Sequence, residues 1–465
     1  VDTGDLLVLD LNQVAPDIYY HRGRDLLEFE QRRDTIVVKG EEPVTVKSTW
    51  TIWGPIVNRT DRGKQLVHHW TMHDPAAANL ELLELAEAGT VEEGLAIAHR
   101  CGIPPQNIVL ADHTGAIAWT IAGRLPRRFG YDGRFPVSWT YGDRGWDGYL
   151  SPAETPVWRG GDLGGAIWSA NQRHVGGELY SRLGDNAYYE GDRAAQIQAN
   201  LARLGTTEAT KAQPADLLAI QLDTRGRWLD RWRHLVLAAL DEAAVAGHDA
   251  RAEFRRLVAE DGDLRAEPGS VNYRLVRQWH DELLDLTLAP IFARCVAADP
   301  HFDFRLLRTE EAVWALHEMQ PMHLLAAQHA SWRELRLAAV DAVIHNLRER
   351  NVALSEATWG ARNRAKIRHP FSSLLPIGLG SMLDLPDDPL PGDQHLPRVQ
   401  RPSFGASLRF VVAPGRESEG IMHLPGGQSG HPLSPYYRAG HRAWVEGRPL
   451  PLLPGEPVHT LEFQP

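Results

Sequence analysis

The 465-residue chain is expected to fold as an α+β protein in which a helical segment is inserted between two β-rich parts. Three observations carry this expectation. Up to residue 190, short apolar runs alternate with polar breaks in the manner of strands and turns. Residues 191–355 are rich in Ala, Leu, Arg and Glu at helical spacing, and strand-and-turn patterning returns over 356–465. No internal repeat or low-complexity segment breaks this order. An insertion therefore fits better than a row of separate domains, although length alone allows roughly three.

Taken in order, Leu6-Leu7-Val8-Leu9, Thr35-Ile36-Val37-Val38 and Val44-Thr45-Val46 read as strands. Thr90-x-x-Glu93 is a capping-box pattern ahead of Leu95, Ala98 and Cys101, and it predicts a helix start. Asn107-Ile108-Val109-Leu110 and Ala116-Ile117-Ala118-Trp119 flank Asp112-His113-Thr114-Gly115, a turn tip between two apolar runs and so a hairpin. Ala215–Leu222 carries the helical spacing, and Ala406–Val412 is the clearest strand after His369-Pro370.

Composition narrows the function classes. Hydrophobic residues make up 43% of the chain, enough for a sizeable core. No apolar run approaches the ~18 residues needed to cross a bilayer, so no membrane span is expected. A net charge of −11 argues against nucleic acid, whose phosphates demand a basic surface. Cys101 and Cys295 sit far apart, in neither a CxxC nor a zinc-ligand spacing, which leaves a single bridge between them open and little else. The chain begins with Val1, with no signal-peptide pattern behind it, and reads as a processed, trimmed or partial sequence.

Several constellations invite chemistry. Pro425–Tyr437 alternates Gly, Pro and polar residues that suit neither helix nor strand, which describes a stiff loop able to present side chains. Ser429 within it is not a hydrolase elbow, because G-x-S-x-G needs Gly where His431 stands. His68, His69 and His73 lack a carboxylate frame for a metal, and a surface helix or strand explains them as well. Asp2 and Asp5, with the backbone of Gly4 between them, form an oxygen-rich cluster suited to a hard cation, though two acids in a loop are usually just solvated. Asn171 follows the apolar Ala166-Ile167-Trp168 run and places an amide donor at a strand end; it reads either as an oxyanion donor or as a structural turn residue. The fifteen Trp suit an apolar pocket or a core equally.

Ordered along the chain, Trp53-Gly54-Pro55, Pro105-Gln106-Asn107 with Ala111-Asp112-x-x-Gly115, Gly123-x-x-Pro126-x-Arg128 and Ala170-Asn171 lead into Gly191-Asp192-Arg193-Ala194-x-x-Ile197, Gln221-x-Asp223 and His369-Pro370. Gly427-Gln428-Ser429-Gly430 with Ser434-Pro435-x-Tyr437 and Trp444 closes the series. Together they resemble the penicillin acylase family of N-terminal nucleophile hydrolases.

The resemblance implies an αββα sandwich, incomplete in this chain, with the helical insertion, and amide hydrolysis by an enzyme cut from a precursor into a small α chain and a large β chain. It implies a Ser nucleophile at the start of the β chain, activated by its own α-amine through water. Asn171 then resembles the oxyanion Asn, and Arg193 the Arg that orients the site. Asp2, Gly4 and Asp5 resemble the calcium segment of the family, Gly133 falls where a backbone carbonyl joins it, and Asp185 is the nearest match to a further acidic ligand. Structural calcium and no organic cofactor are what the resemblance implies.

Val1 carries no hydroxyl or thiol, so the nucleophile, its neighbouring donor and the α chain are expected outside these residues, as partners. Relatives cleave phenylacetyl, glutaryl and long-chain acyl groups from β-lactams, homoserine lactones or lipopeptides, which points to a small-molecule amide. Bacterial members are exported, which implies a periplasmic or secreted location. The alternative is a non-catalytic binding or structural remnant of the same fold.

Overall fold

The computed structural model describes residues 3–463, apart from 13, 16, 61, 185–187, 206–210, 261 and 377. The chain divides into two compact units, Val1–Tyr188 and Tyr189–Pro465.

The first unit is built on an antiparallel five-stranded sheet in the spatial order Gly4–Val8, Gln65–Trp70, Gly54–Arg59, Val44–Thr51, Glu30–Ile36. Alternation along Gly4–Val8 sends Asp5 and Leu7 inward and Leu6 outward, so a carboxylate enters the core beside Leu7, Leu9, Tyr19, Val67 and Trp139. At the other edge the expected strand at Thr35–Val38 instead spans Glu30–Ile36, with Val37 and Val38 beyond its end. Every residue of that strand is exposed, so no burial alternates along it, and only the cross-strand pairing Glu30↔Trp50 to Ile36↔Val44 marks its register.

A three-stranded sheet, Trp158–Arg159, Ile117–Ala122 and Gln106–Ala111, follows. The expected hairpin forms: Asp112 Oδ1 accepts from the Thr114 N–H at 2.9 Å and from the Thr114 hydroxyl at 2.5 Å. Its other oxygen accepts from Val91 N–H at 3.0 Å, which ties the hairpin tip to the start of the helix Val91–Arg100. That helix opens with both halves of the Thr90/Glu93 capping box in place. Its apolar face, Val91 and Leu95, packs on Ala118 of the sheet.

The second unit is centred on the 28-residue helix Val271–Ala298, packed against Asp230–Ala239, Asp249–Val258 and Trp332–Glu349. Trp232, Trp279, Leu283, Val340 and Val343 are almost fully buried between them. Leu396 joins the same core, and Trp359 Nε1 donates to Gly392 O at 2.9 Å, so the segment after the helices packs into this unit. The expected strand Ala406–Val412 is shorter than its pattern suggests. Only Arg409–Val411 pairs, because its partner Ile421–His423 is three residues long. No helix among the described residues is long and apolar enough to cross a membrane. Cys101 is buried in the first unit and Cys295 exposed in the second, each a free thiol.

One buried acid makes the helical unit pH-sensitive. Glu310 is 5% exposed, and its Oε2 lies 2.9 Å from His280 Nε2, while Oε1 accepts from Trp232 Nε1 at 2.6 Å and Arg231 Nη2 at 3.2 Å. Burial alone would raise its pKa, but His280, Trp232 and Arg231 overcome that and hold it at about 2, below the usual 4.5. A depressed carboxyl stabilises the fold above its unfolded pKa and loses that contribution as pH falls. We therefore expect the melting temperature to drop as pH is lowered from 4.5 toward 2, and Glu310→Gln to flatten that part of the profile.

Candidate active site

Asn171 sits on a loop whose two ends are anchored in the core. Ile167 and Val175 pack into the core of Trp119, Ile121, Leu125 and Leu183, and Ser169, Asn171 and Arg173 between them are exposed. Inside the loop, Gln172 Oε1 accepts from Ala170 N–H at 2.6 Å. His174 Nε2 lies 2.9 Å from Ser169 Oγ, with its ring stacked on Trp119 at 4.7 Å. Burial pushes the His174 pKa down to about 4, so this clasp is a neutral imidazole near pH 7. Within it, the exposed Asn171 adopts a left-handed backbone with φ 66°. Asn tolerates this region better than other non-glycine residues, yet such a conformation costs on the order of 1 kcal/mol and collects at functional sites.

Arg193 lies in the second unit, in the first turn of the helix Asp192–Leu204, with its guanidinium 4.9 Å from the Tyr189 ring centre. Burial lowers its pKa, and nearby Arg308 adds to the shift; Tyr189 and Asp192 oppose it. The helix is held in place by Asp223, whose Oδ2 accepts from Gln196 Nε2 at 2.8 Å, Asn200 Nδ2 at 2.7 Å and Arg225 Nη2 at 2.7 Å. Two segments distant in sequence, Gly191–Ile197 and Gln221–Asp223, thus form one support for Arg193.

The first unit also holds a cleft of about 530 Å³ that no sequence motif announced. Its lining includes Trp50, Trp53, Trp70, Trp146 and Tyr149 together with His69 and His73. His69 Nδ1 hydrogen-bonds the Trp53 carbonyl, and its ring meets Trp146 edge-on at 4.2 Å. Burial lowers the pKa of His68, His69 and His73 alike. No group of three or more His, Cys, Asp or Glu able to hold a metal occurs among the described residues. Periodicity missed this cleft because its walls come from four strands of the five-stranded sheet and from the strand Gly145–Tyr149, which lie far apart in sequence.

The second unit has its own polar cleft of about 370 Å³, lined by Arg277, His280, Glu310 and His395 among others. The stiff loop Pro425–Tyr437 is structural. A side chain at Gly427 would meet the Tyr436 carbonyl at 1.8 Å, and Tyr437 hydroxyl donates to Leu383 O at 2.7 Å. Ser429 Oγ accepts from His431 N–H at 3.1 Å, and His431 Nδ1 accepts from Leu433 N–H at 3.2 Å.

Of the residues that would gather around calcium, Asp2 and Asp185 lie outside the described residues. Asp5 and Gly133 converge, but on a guanidinium. Arg128 donates from Nε to Asp5 Oδ2 at 2.9 Å and from Nη2 to Oδ1 at 3.0 Å. Trp146 Nε1 at 2.5 Å and the Tyr131 hydroxyl also donate to Oδ2. Gly133, with φ 81°, lies so close that an added Cβ would stand 2.6 Å from Arg128 Nε. Gly4 pairs with Trp70, and His68 Nε2 would stand 2.6 Å from a Cβ on it. The Asp5 carboxylate is therefore committed to three donor side chains, one of them bidentate and positively charged, and this donor set does not fit a calcium ion.

The sequence profile of the penicillin amidase family matches residues 1–456. The chain is 24% identical over 506 residues to the acyl-homoserine lactone acylase QuiP of Pseudomonas aeruginosa, covering 96% of this chain and 57% of that protein. It is 26% identical over 477 residues to the penicillin acylase 2 proenzyme of Pseudomonas sp. strain SE83, covering 97% and 57%. It thus spans a little over half the length of these relatives. The fold matches a thermostable penicillin G acylase from Alcaligenes faecalis with a TM-score of 0.64 at 17% identity, over 100% of this chain and 87% of that one. The α+β fold is accordingly that of an N-terminal nucleophile hydrolase, and the chain belongs to the penicillin amidase family.

Proposed function

We propose that the chain forms the bulk of an acylase that removes an acyl group from a small-molecule amide, such as an acyl-homoserine lactone, a β-lactam or a lipopeptide. In this reading a serine outside residues 1–465 attacks the amide carbonyl, its proton passing to its own α-amine through water. Asn171 Nδ2–H donates to the oxygen as charge develops on it. The amine leaves with a proton, and water then cleaves the acyl-serine ester to release the acid. Arg193 is the positioning residue of the second unit. Self-cleavage of a precursor and a periplasmic or secreted location belong to the same reading.

The exposed position of Asn171, in a left-handed backbone on a clasped loop, is the observation that supports it best. The test is acid release from a chromogenic phenylacetyl or fatty-acyl anilide, by the 465-residue chain alone and together with the polypeptide that supplies the serine. Turnover is expected only in the combined sample. Turnover by the chain alone, lost on changing Asn171, would sink the assignment of the nucleophile. No turnover in either sample would favour the non-catalytic remnant.

A further inference from the structure

We propose that Arg128 serves as a built-in cation at Asp5, so that the first unit is stable without calcium. The proposal rests on what surrounds the carboxylate. Both side chains of the pair are only 2% exposed, so neither charge is satisfied by solvent. The contact spans 123 positions of sequence and joins the strand Gly4–Val8 to the strand Pro126–Phe129.

Geometry makes the replacement specific to a guanidinium. Nε and Nη2 meet the two carboxylate oxygens separately, as a planar fork does and an ammonium does not. The remaining approaches to Oδ2 are filled by Trp146 Nε1 and the Tyr131 hydroxyl. Burial, and then Asp5 itself, raise the Tyr131 pKa, which keeps that hydroxyl protonated and donating. The left-handed turn at Gly133 brings backbone against the Arg128 side chain where a Cβ would collide. A divalent ion seeking Asp5 would have to displace a bidentate partner, move two further donors and come close to a buried positive charge.

The pair also shapes the aromatic cleft. Trp146 is tied to Asp5 through its ring nitrogen while its ring packs on His69, so one wall of the cleft hangs on the same carboxylate.

The test is thermal unfolding of the 465-residue chain in excess calcium and in excess chelator, with metal analysis of the purified protein. The two melting temperatures are expected to coincide, because an ion that binds neither state shifts nothing. Arg128→Met is expected to lower the melting temperature by on the order of 10 °C, since it strands a buried carboxylate. Arg128→Lys should restore little of the loss, because the fork is gone. A rise of several degrees with calcium in the unaltered chain overturns the proposal. So does one equivalent of bound calcium, or an Arg128→Met chain that melts within about 2 °C of the original. If that variant does not accumulate as folded protein, the calcium and chelator comparison on the unaltered chain decides alone.

Discussion

Replacing Asp393 by Ala is expected to destabilise the second unit by about 3–5 kcal/mol, read from chemical denaturation. Asp393 is 3% exposed. Its Oδ2 accepts from Arg277 Nε at 3.0 Å and from the Tyr273 hydroxyl at 2.8 Å, and Gln394 N–H reaches Oδ1 at 2.5 Å. Burial works against the Arg277 charge, but Asp281 and Asp393 outweigh it and raise the guanidinium pKa above its usual value. Truncation at 393 leaves the Tyr273 hydroxyl without this acceptor and Arg277 with only the half-exposed Asp281 to answer it. The size of the effect comes from that stranded charge rather than from the worth of the pair. The double variant Asp393→Leu, Arg277→Met, which removes both charges, is therefore expected to lose less than Asp393→Ala alone. A single variant within about 1 kcal/mol of the original, or a double variant at the sum of the two singles, would refute this account.

What could be read from the sequence was local. The Thr90/Glu93 box and the Asp112–Gly115 tip depend on bonds within a few residues, and both form as expected. The strand Glu30–Ile36 was read only at its end, Thr35-Ile36, because it is exposed throughout, leaving no burial period to read. Asp5 was legible as an oxygen donor and Gly133 as its neighbour. Arg128, quoted only as part of a motif, could not be seen as their partner, because the pairing is made by a fold that joins strands 123 positions apart. His280 and Glu310 meet for the same kind of reason, from two helices packed face to face. Ordered motifs carried the family because several weak spacings in sequence are jointly specific. They carried no information on which charged groups would neutralise one another.

Asn171→Gly is the sharper probe of the acylase reading than Asn171→Ala. At φ 66° an Ala keeps the backbone strain that Asn already bears and adds no compensation, so a loss of activity would mix donor removal with loop distortion. Gly removes the amide while relieving that strain, and the clasp of Ser169 with His174 and the anchors Ile167 and Val175 do not involve residue 171. In the combined enzyme, Asn171→Gly is expected to show a kcat reduced about 10²–10³-fold, equivalent to about 2.7–4 kcal/mol of transition-state stabilisation. KM should change little, since a donor aimed at the oxyanion gains its strength only as charge develops. A Gly variant that keeps kcat within about 3-fold would return Asn171 to the role of a turn residue whose side chain merely suits a left-handed backbone. A variant that loses KM and kcat together would point instead to a loop that binds substrate without stabilising its oxyanion.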